Sequence, residues 1–491
     1  MNKTKLAIVS IAWLLGIAHN SFSQQYCGTS TQDQHHWIVS MESGQHSTHD
    51  FKATSYIPLQ VHNVGNDNGS SYYAMWYLLE SLCTLNEDFK SSGIQFYLEN
   101  PIHYIAKTAW NNHPEFDAGE EMMIANNVQD QVNCYIVQNP AGNCGYYTYG
   151  GDGVALGKGC MGRLNHTWAH ELGHFFSLPH TFFGWEGIDY KITKPTRDYQ
   201  NQVWTPIENL DRTNCSQAAD RFCDTYPDYI SDRWSCDVNQ RGALIRDLND
   251  STTLVDGTLF MSYANDRCMN RFSDEQVQQM YRNYNNNRQI LKRSNVIPLV
   301  LGNDDLNIAF PADSSTIFYK HNTFSWAKLN NAKYLVQVSR FPSFSSNLTN
   351  VTTDSAFIMI DSLTPGKTYY MRVKAFNDFD FCGKVSRTIV FHIEPLVTKV
   401  NEAEQKKIIL SPNPISGDRK LVIQTNEEKL NVQELQLINS FGQVTKIAAE
   451  RMEFFGNQIQ IDLFDLPKGV YFLTLKTKTN YYINKLLIQN Q

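Results

Sequence analysis

Hydrophobic and polar positions divide the chain of 491 residues into a mixed α/β part and an all-β part. In the first part, three apolar runs predict β-strands: 56–64, 93–99 and 132–138. Apolar side chains at helical spacing predict an amphipathic helix over 70–86. The glycine-rich segment 140–162 and the polar, irregular segment 181–255 predict long loops. Together these elements predict an α/β (α+β) domain over 53–295.

The last helix of this domain has a sequence signal at its start. Ser273 and Gln276 stand three residues apart ahead of a helical apolar pattern, which is the spacing of a capping box. We therefore expect a helix that begins near Ser273 and runs to about residue 292.

The pattern changes after residue 295. Short segments of alternating apolar and polar residues, separated by turn residues, are typical of the strands of β-sandwiches. A charged and polar linker near 396–406 interrupts them. We therefore predict two all-β sandwich domains, over 297–395 and 405–491.

The first residues predict export. Lys3 and Lys5 precede an apolar run that is too short to span a bilayer comfortably, and small residues follow it. This indicates a secretory signal peptide over 1–23, with a short membrane anchor as the alternative. Residues 24–52 are polar and predict a pro-segment. The net charge of −7 comes without a basic patch, which argues against a nucleic-acid partner, and no other segment has transmembrane character.

The ten cysteines suit an exported protein. Eight of them lie between positions 83 and 268, which predicts a domain stapled by disulfides. We expect Cys144 to pair with Cys160. Cys83 and Cys134 can pair, or one of them can be buried and free, because spacing alone leaves the connectivity open.

Residues 170–180, "HELGHFFSLPH", carry the candidate chemistry. His170 and His174 are one helical turn apart, so a helix presents both imidazoles on one face, as a shared zinc ion requires. Glu171 lies beside them and can polarise a water on the metal. His180 can return as a third ligand, which leaves the fourth position open, as in catalytic zinc sites. The alternative is a surface helix with incidental histidines.

The stretch "NHTWAHELGHFFSLPHTFFG" resembles the zinc helix of the metzincin metalloproteases and, more narrowly, that of the pappalysin (cytophagalysin) family. Downstream, "NCSQAADRFCDTYPD" (214–228) resembles the family's cysteine-containing loop, and "FMSYANDRCMNRFSDEQ" (260–276) resembles its Met-turn segment. The motifs occur in the family's order over about 53–290. The resemblance implies a metzincin-type catalytic domain with zinc-dependent endopeptidase activity.

The resemblance also implies roles for three residues near the Met-turn. Met261 would form the hydrophobic floor under the zinc ligands, and Tyr263 would stabilise the tetrahedral intermediate by donating a hydrogen bond. Asp266 stands where pappalysins that cleave before basic residues carry an acidic pocket residue, which implies a preference for Arg or Lys after the scissile bond. An ordinary core methionine and a loop aspartate paired with Arg267 are the alternatives.

Ser177 departs from the family pattern, which has glycine at this position. Glycine there lets the chain leave the helix with a positive φ. We expect Ser177 to adopt the same conformation at a cost of about 1–2 kcal/mol, which leaves the ligand set intact.

The segment "YCGT" (26–29) resembles the family's pro-segment motif, in which a cysteine thiolate binds the zinc and keeps the enzyme latent. The family usually has an arginine near this cysteine, and Gln25 and Tyr26 depart from that. The alternatives for Cys27 are a disulfide with Cys382 and an unpaired thiol.

The cysteine-containing loop carries two further expectations. By resemblance it implies two disulfides: Cys215–Cys236 and Cys223–Cys268. Calcium prefers clustered carboxylates and carbonyls, so three aspartates are candidate ligands: Asp220, Asp224 and Asp228. A solvated acidic loop is the alternative.

The two C-terminal units also show resemblances. Residues 297–395 resemble a fibronectin type III module, on Trp326 and "LTPGKTYYMRVKAFN". Residues 405–491 resemble the C-terminal sorting domain of type IX secretion substrates in Gram-negative bacteria, on "LSPNP", "SFGQV", "LPKGVYFLTL" and "KLLI". This implies export across the outer membrane by that machinery, followed by release or surface attachment. A second generic β-sandwich is the alternative.

These features predict a secreted, monomeric zinc endopeptidase that acts on proteins and peptides. The resemblance to the pappalysins implies that the substrate lies along an edge strand above the zinc helix, which "VQNPAGNCGYY" (137–147) would supply. Two alternatives stay open: a surface adhesin on an inactive protease scaffold, and a thermolysin-like enzyme in which a glutamate replaces His180 as the third ligand.

Overall fold

The structure is a computed structural model that describes these parts of the chain: 25–42, 54–191, 206–247, 249–395, 408–425, 430–478 and 480–489. The predicted signal peptide (1–23) and the predicted linker (396–406) lie outside the described residues. None of the helices within these ranges is long and apolar enough to cross a membrane.

The first part of the chain is a mixed α/β unit. Its helices are α1 (Thr31–Glu42), α2 (Met75–Asp88), α3 (Thr108–Asn111), α4 (Phe116–Asn126), α5 (Thr167–Phe175) and α6 (Asp274–Asn286). Its strands are β1 (Gln25–Cys27), β2 (Ser55–Gly65), β3 (Ile94–Leu98), β4 (His103–Ala106), β5 (Asn112–His113), β6 (Val132–Val137), β7 (Asn139–Pro140), β8 (Asn143–Thr148), β9 (Gly153–Gly157), β10 (Arg241–Arg246) and β11 (Thr252–Asp256).

A seven-stranded sheet organises this unit. The strands follow the order β1-β8-β9-β6-β2-β3, and β4 pairs with the far end of β2. All of these pairs are parallel except β8 with β9. Parallel strands are usually covered on both faces, and the almost wholly buried runs of β2 and β6 agree with that. Helices α2 and α5 pack together on the sheet and share its core.

The strand predictions for 56–64, 93–99 and 132–138 are confirmed as β2, β3 and β6. The helix predicted over 70–86 begins only at Met75. At the start of α6, both hydrogen bonds of the predicted capping box are present between Ser273 and Gln276. Helix α6 ends at Asn286, earlier than expected, and a short 3₁₀ turn follows at Gln289–Leu291.

Three segments carry more regular structure than their patterns predict. The glycine-rich segment 140–162 contains β8 and β9, and the polar segment 181–255 contains the β10–β11 hairpin. The pro-segment contains α1, whose first turn is capped by Ser30 through a hydrogen bond from the Asp33 amide at 3.0 Å. Strands β8 and β9 are buried at nearly every position, so they lack the alternation of a strand with one exposed face.

The all-β part forms two pairs of sheets. The first pair contains β12 (Ile308–Phe310), β13 (Ser315–Ile317), β14 (Lys320–Trp326), β15 (Lys333–Ser339), β16 (Asn347–Thr353), β17 (Phe357–Ser362), β18 (Thr368–Phe376) and β19 (Ile389–Ile393). The second pair contains β20 (Ile408–Ser411), β21 (Lys420–Thr425), β22 (Val432–Asn439), β23 (Val444–Lys446), β24 (Met452–Phe455), β25 (Gln458–Asp462), β26 (Gly469–Thr477) and β27 (Tyr481–Ile488). Each pair encloses its own apolar cluster, and Trp326 is buried in the first.

The disulfides differ from most of the expected pairings. The bonds are Cys83–Cys382, Cys144–Cys160, Cys215–Cys223 and Cys236–Cys268. Only Cys144–Cys160 was expected. The implied pairs Cys215–Cys236 and Cys223–Cys268 are wrong, because the chain brings Cys215 back to Cys223 within one short turn. The suggested pairs Cys83–Cys134 and Cys27–Cys382 are also wrong, and Cys27 and Cys134 are buried and free.

The bond from Cys83 to Cys382 joins α2 to the connection between β18 and β19. Around it, the Leu98 amide donates to the Asp378 carbonyl at 2.9 Å, and the rings of Tyr97 and Phe379 stack at 4.8 Å. The first all-β unit is therefore fixed to the α/β unit by a covalent bond and by packing.

Candidate metal centre

Helix α5 carries the histidine motif and ends in a Schellman motif. The Ser177 amide donates to the His174 carbonyl at 2.8 Å, and the Leu178 amide donates to the Gly173 carbonyl at 2.9 Å. Ser177 has a φ of 69°, which confirms the expected positive φ. Its hydroxyl accepts a hydrogen bond from Gln279 Nε2 at 3.1 Å, which ties the strained turn to α6.

The Schellman turn sends the chain back so that His180 meets His170 and His174. The Nε2 atom of His180 lies 3.1 Å from that of His174 and 3.3 Å from that of His170. The Nδ1 atoms of the two helical histidines donate to backbone carbonyls, of Phe260 at 2.6 Å and of Leu178 at 2.7 Å. Because each of these rings carries its proton on Nδ1, its Nε2 lone pair points at the shared centre.

The charge state of these rings suits a metal ion. Burial lowers the pKa of His180 to about 3, and burial also lowers the pKa values of His170 and His174. Neutral Nε2 atoms without protons cannot hydrogen-bond to one another, so a cation between them removes their mutual repulsion. Zinc at about 2.0–2.1 Å from each nitrogen would separate tetrahedral ligand atoms by about 3.3 Å, which matches the observed spacing. The three rings therefore fit a zinc ion.

A partly buried carboxylate that the sequence reading missed, that of Glu186, lies behind His180. Glu186 Oε1 lies 3.5 Å from His180 Nδ1, and its other oxygen accepts the Gly184 amide at 2.8 Å. Burial raises the pKa of Glu186 to about 7. A carboxylate behind a metal-binding histidine fixes the ring and its tautomer. The available signal was a lone acidic residue six positions after His180 in the aromatic run "TFFGWEG".

Glu171 faces the same centre from α5. Its Oε2 accepts hydrogen bonds from Cys27 Sγ at 3.4 Å and from the Thr29 hydroxyl at 3.3 Å. Its Oε1 is buried, and no described residue hydrogen-bonds to it. Burial raises the pKa of Glu171 to about 8. The carboxylate lies against Gly145 of β8, where a Cβ atom would come within 2.8 Å of Glu171 Cγ.

Strand β1 brings Cys27 to the centre. Cys27 Sγ and one ring nitrogen from each of the three histidines all lie within 4.8 Å of one another. The strand pairs in parallel with β8, so that Cys27 stands opposite Gly145. Burial raises the pKa of the Cys27 thiol, and the nearby Glu171 charge raises it further. A metal ion would reverse this, because a coordinating thiol is deprotonated.

The helix after β1 covers the centre. Gln34 Oε1 accepts the His180 amide at 2.9 Å, and Trp37 stacks on the ring of His174 with 5.5 Å between centroids. The sequence reading assigned no role to either residue. The available signal was the short apolar run that begins at Trp37 within a largely polar segment.

Met261 and Tyr263 both lie close to the histidine motif. Met261 is fully buried under α5, and a methyl group on Gly173 would overlap its sulfur atom. The Tyr263 hydroxyl donates to the Cys27 carbonyl at 3.1 Å. Met261 thus packs against the helix that carries two of the histidines, and Tyr263 contacts the backbone of Cys27.

Asp266 is not the open carboxylate that the resemblance implied. Its Oδ2 lies 2.5 Å from Arg233 Nη2, and its Oδ1 accepts the His166 amide at 2.9 Å. Arg267, the expected alternative partner, instead donates to the Cys236 carbonyl at 3.3 Å. Arg233 is therefore paired with the Asp266 carboxylate, which the resemblance implied would bind a basic residue of the substrate.

The three candidate calcium ligands do not share one environment. Asp224 accepts the Ser273 hydroxyl at 2.7 Å at the start of α6, and Asp228 accepts the Thr181 hydroxyl at 2.7 Å. Asp220 is fully buried, and burial and the charge of Glu208 raise its pKa. Two buried oxygens, Asp220 Oδ2 and Glu208 Oε1, have no hydrogen-bond partner in the described part of the chain. Asp220 and Glu208 are therefore better candidates for calcium ligands than Asp224 and Asp228.

Two comparisons bear on export and on activity. A family model described as the secretion system C-terminal sorting domain matches residues 410–489. Over 261 residues, the chain is 24% identical to an extracellular metalloprotease of Colletotrichum graminicola (strain M1.001 / M2 / FGSC 10212). That alignment covers 48% of this chain and 78% of the fungal protein.

The solved structures that match include modules of the immunoglobulin and fibronectin kind. The match to the crystal structure of chicken CNTN1 FN1-FN3 domains has 14% identity and a TM-score of 0.17. It covers 38% of this chain and 65% of the chicken chain, which is less than two thirds. The solution structure of the sixth fibronectin type III domain from human fibronectin type III domain containing protein 3 matches 22% of this chain and 98% of its own, at 15% identity and a TM-score of 0.16. The chain thus carries a type IX sorting domain and is similar to an extracellular metalloprotease.

The ligand set generates a prediction about metal content. In a Cys27→Ala background, where the thiol cannot substitute as a ligand, His180→Ala should lower zinc affinity by at least about 100-fold. The measurement is zinc per chain by mass spectrometry after dialysis against graded chelator. His166→Ala, just before the same helix, is the control and should retain zinc. Full zinc retention in His180→Ala would contradict this ligand set and favour the thermolysin-like alternative.

Proposed function

We propose that this chain is a secreted zinc-dependent endopeptidase of the metzincin type, similar to the pappalysins. The observation that carries the proposal is the convergence of three histidine Nε2 atoms at 3.1 and 3.3 Å beside the buried carboxylate of Glu171. Residues 53–295 would form the catalytic domain, 297–395 a fibronectin type III-like spacer and 405–491 the sorting domain. Export would use the type IX machinery.

His170, His174 and His180 would hold the zinc ion. When bound, zinc supplies a Lewis acid that polarises the scissile carbonyl and lowers the pKa of water. Glu171 is the general base, since its Oε1 has no hydrogen-bond partner among the described residues and can accept a proton from the attacking water. Burial favours the protonated carboxyl, so Glu171 can hold that proton and then deliver it to the leaving amine.

Tyr263 would act on the substrate carbonyl. Its hydroxyl donates to the Cys27 carbonyl at 3.1 Å, directly beside the histidines. We infer that the substrate carbonyl takes the place of the Cys27 carbonyl, so that the same hydroxyl stabilises the developing oxyanion. Met261 supports α5 from below and keeps the helical histidines in position.

Strand β8 offers the binding edge for the substrate backbone. It is one of the last strands of the sheet, and β1 of the pro-segment occupies its outer side. Once β1 leaves, the exposed amides and carbonyls of β8 can pair with an extended peptide. Cleavage before Arg or Lys, the finer expectation, requires Arg233 to release Asp266.

Glu171→Ala tests the reaction. General acid–base groups contribute about 100- to 10,000-fold, so the variant should lose at least about 100-fold in kcat/KM while it keeps its zinc. The measurement is cleavage of a peptide library by full-length protein carrying Cys27→Ala. Glu115→Ala, at an exposed position, is the matched control and should cleave normally. Zinc-loaded protein without cleavage of any peptide would favour the surface adhesin on an inactive scaffold.

We further propose that Cys27 holds the enzyme latent. Its thiol is within reach of the three histidines and donates to Glu171, so it occupies the position that water needs. A thiolate is also a strong zinc ligand.

Cys27→Ala should therefore raise the initial rate of the freshly purified full-length chain by at least about tenfold, because a thiolate ligand is lost. Cys134→Ala removes the other free cysteine and is the control, with no expected gain. Equal initial rates for Cys27→Ala and wild type would exclude a switch at this residue.

We also propose that Asp220 and Glu208 bind calcium. Each has a buried oxygen without a hydrogen-bond partner among the described residues, and burial raises the pKa of both, although the charge of Arg212 partly offsets this for Glu208. A bound calcium ion would stabilise both carboxylates in their charged form. Calcium at 100 times its dissociation constant should stabilise the fold by about 2.7 kcal/mol, which thermal unfolding with and without chelator measures. Asp220→Asn should abolish the calcium-dependent shift, whereas the exposed-loop variant Asp211→Asn should retain it. A shift of equal size in both variants would place calcium elsewhere.

A further inference from the structure

Tyr26, the residue before Cys27, fills a pocket next to the candidate metal centre. Its side chain is 5% exposed. Its ring meets His170 edge-on, with 5.0 Å between centroids, and meets Tyr263 in the same way at 5.2 Å. The pocket therefore adjoins one proposed metal ligand and the proposed oxyanion donor.

One wall of this pocket is a compensated ion pair. The Arg233 guanidinium lies 3.8 Å from the centre of the Tyr26 ring, and its Nη2 lies 2.5 Å from Asp266 Oδ2. The second Asp266 oxygen accepts the His166 amide at 2.9 Å. Both oxygens of Asp266 are thus engaged, and the guanidinium carbon lies over the face of the aromatic ring, which is a favourable cation–π position.

The backbone that delivers Tyr26 uses the same edge that a substrate would use. Gln25 stands opposite Asn143, and Cys27 stands opposite Gly145, in register with β8. Tyr26 therefore reaches its pocket from an extended backbone paired to the sheet, as a substrate side chain would.

We propose that this pocket binds an aromatic side chain of the substrate next to the scissile bond, with Arg233 as the specificity-determining residue. The inference rests on the proposed peptidase function. A lysine or arginine of the substrate would meet the like charge of Arg233 and would have to displace it from Asp266. A tyrosine or phenylalanine meets two rings edge-on and a guanidinium that is already in place over its own ring.

The first experiment compares cleavage specificity. Full-length protein carrying Tyr26→Ala and Cys27→Ala, which empties the pocket, is given a peptide library that varies both positions flanking the scissile bond. We expect Phe and Tyr to be enriched at one of these positions. Adding Arg233→Ala should lower kcat/KM for the best aromatic peptide by about 5- to 30-fold. It should also raise cleavage of the matched Arg peptide, because Asp266 becomes free.

A specificity role for Arg233 changes the ratio of kcat/KM for the aromatic peptide to kcat/KM for the Arg peptide. A purely structural role would lower both values together. Enrichment of Arg or Lys that disappears in Asp266→Ala would overturn the proposal, and so would a library without preference at either position.

The second experiment needs no catalysis. The rate at which a thiol reagent labels Cys27 in the full chain reports how firmly the pro-segment is seated, and Cys27→Ser corrects for labelling of Cys134. Tyr26→Phe should label within about 2-fold of wild type, since the ring and its stacking are kept. Tyr26→Arg should label at least about 10-fold faster, because two cations meet. Adding Arg233→Ala to Tyr26→Arg should slow labelling again, as the new arginine gains Asp266.

Labelling of Tyr26→Arg at the wild-type rate or slower would overturn the aromatic pocket. If no peptide is cleaved by any variant, the proposed peptidase function fails, while the labelling rates still decide what the pocket accepts.

Discussion

The hydrogen bonds from the Nδ1 atoms of His170 and His174 to backbone carbonyls are the constraint on which the rest of the site depends. They place the protons of both rings away from the centre, so that the Nε2 lone pairs converge. One acceptor is Leu178, which the Schellman turn carries back over the helix end, and the other is Phe260, which directly precedes Met261. The helix exit and the Met-turn segment thus orient the histidines, and neither could change without moving a ring.

The same constraint explains why a serine can occupy the left-handed position at the end of α5. The turn is required, because it returns both the Leu178 carbonyl and His180 to the site. Ser177 bears the backbone strain, and its hydroxyl recovers a hydrogen bond from Gln279 of α6. A strain of about 1–2 kcal/mol is small beside the interactions that depend on this turn.

In the closed state, the pro-segment contacts the site through several different interactions. Cys27 faces the histidines, Gln34 accepts the His180 amide, and Trp37 stacks on His174. Tyr26 fills the adjoining pocket against Arg233. Because backbone pairing with β8 adds to these contacts, the pro-segment satisfies the groups that an extended substrate would otherwise satisfy. Under the proposed function, latency and substrate recognition would therefore use the same surface.

The sequence by itself determined the elements whose signals are local. The helical spacing of His170, Glu171 and His174 and the capping box at Ser273 arise from contacts within a few residues. The alternation of apolar and polar residues in the C-terminal units is likewise visible within each strand, although the strands pair across longer distances. Only the tertiary structure decided which cysteines pair, because Cys83 meets Cys382 across 299 positions. It also decided that Arg233 neutralises Asp266, that Glu186 lies behind His180 and that Tyr26 enters the pocket. These partners come from segments far apart in the chain, and their meeting depends on loop paths that no local pattern of apolar and polar residues encodes.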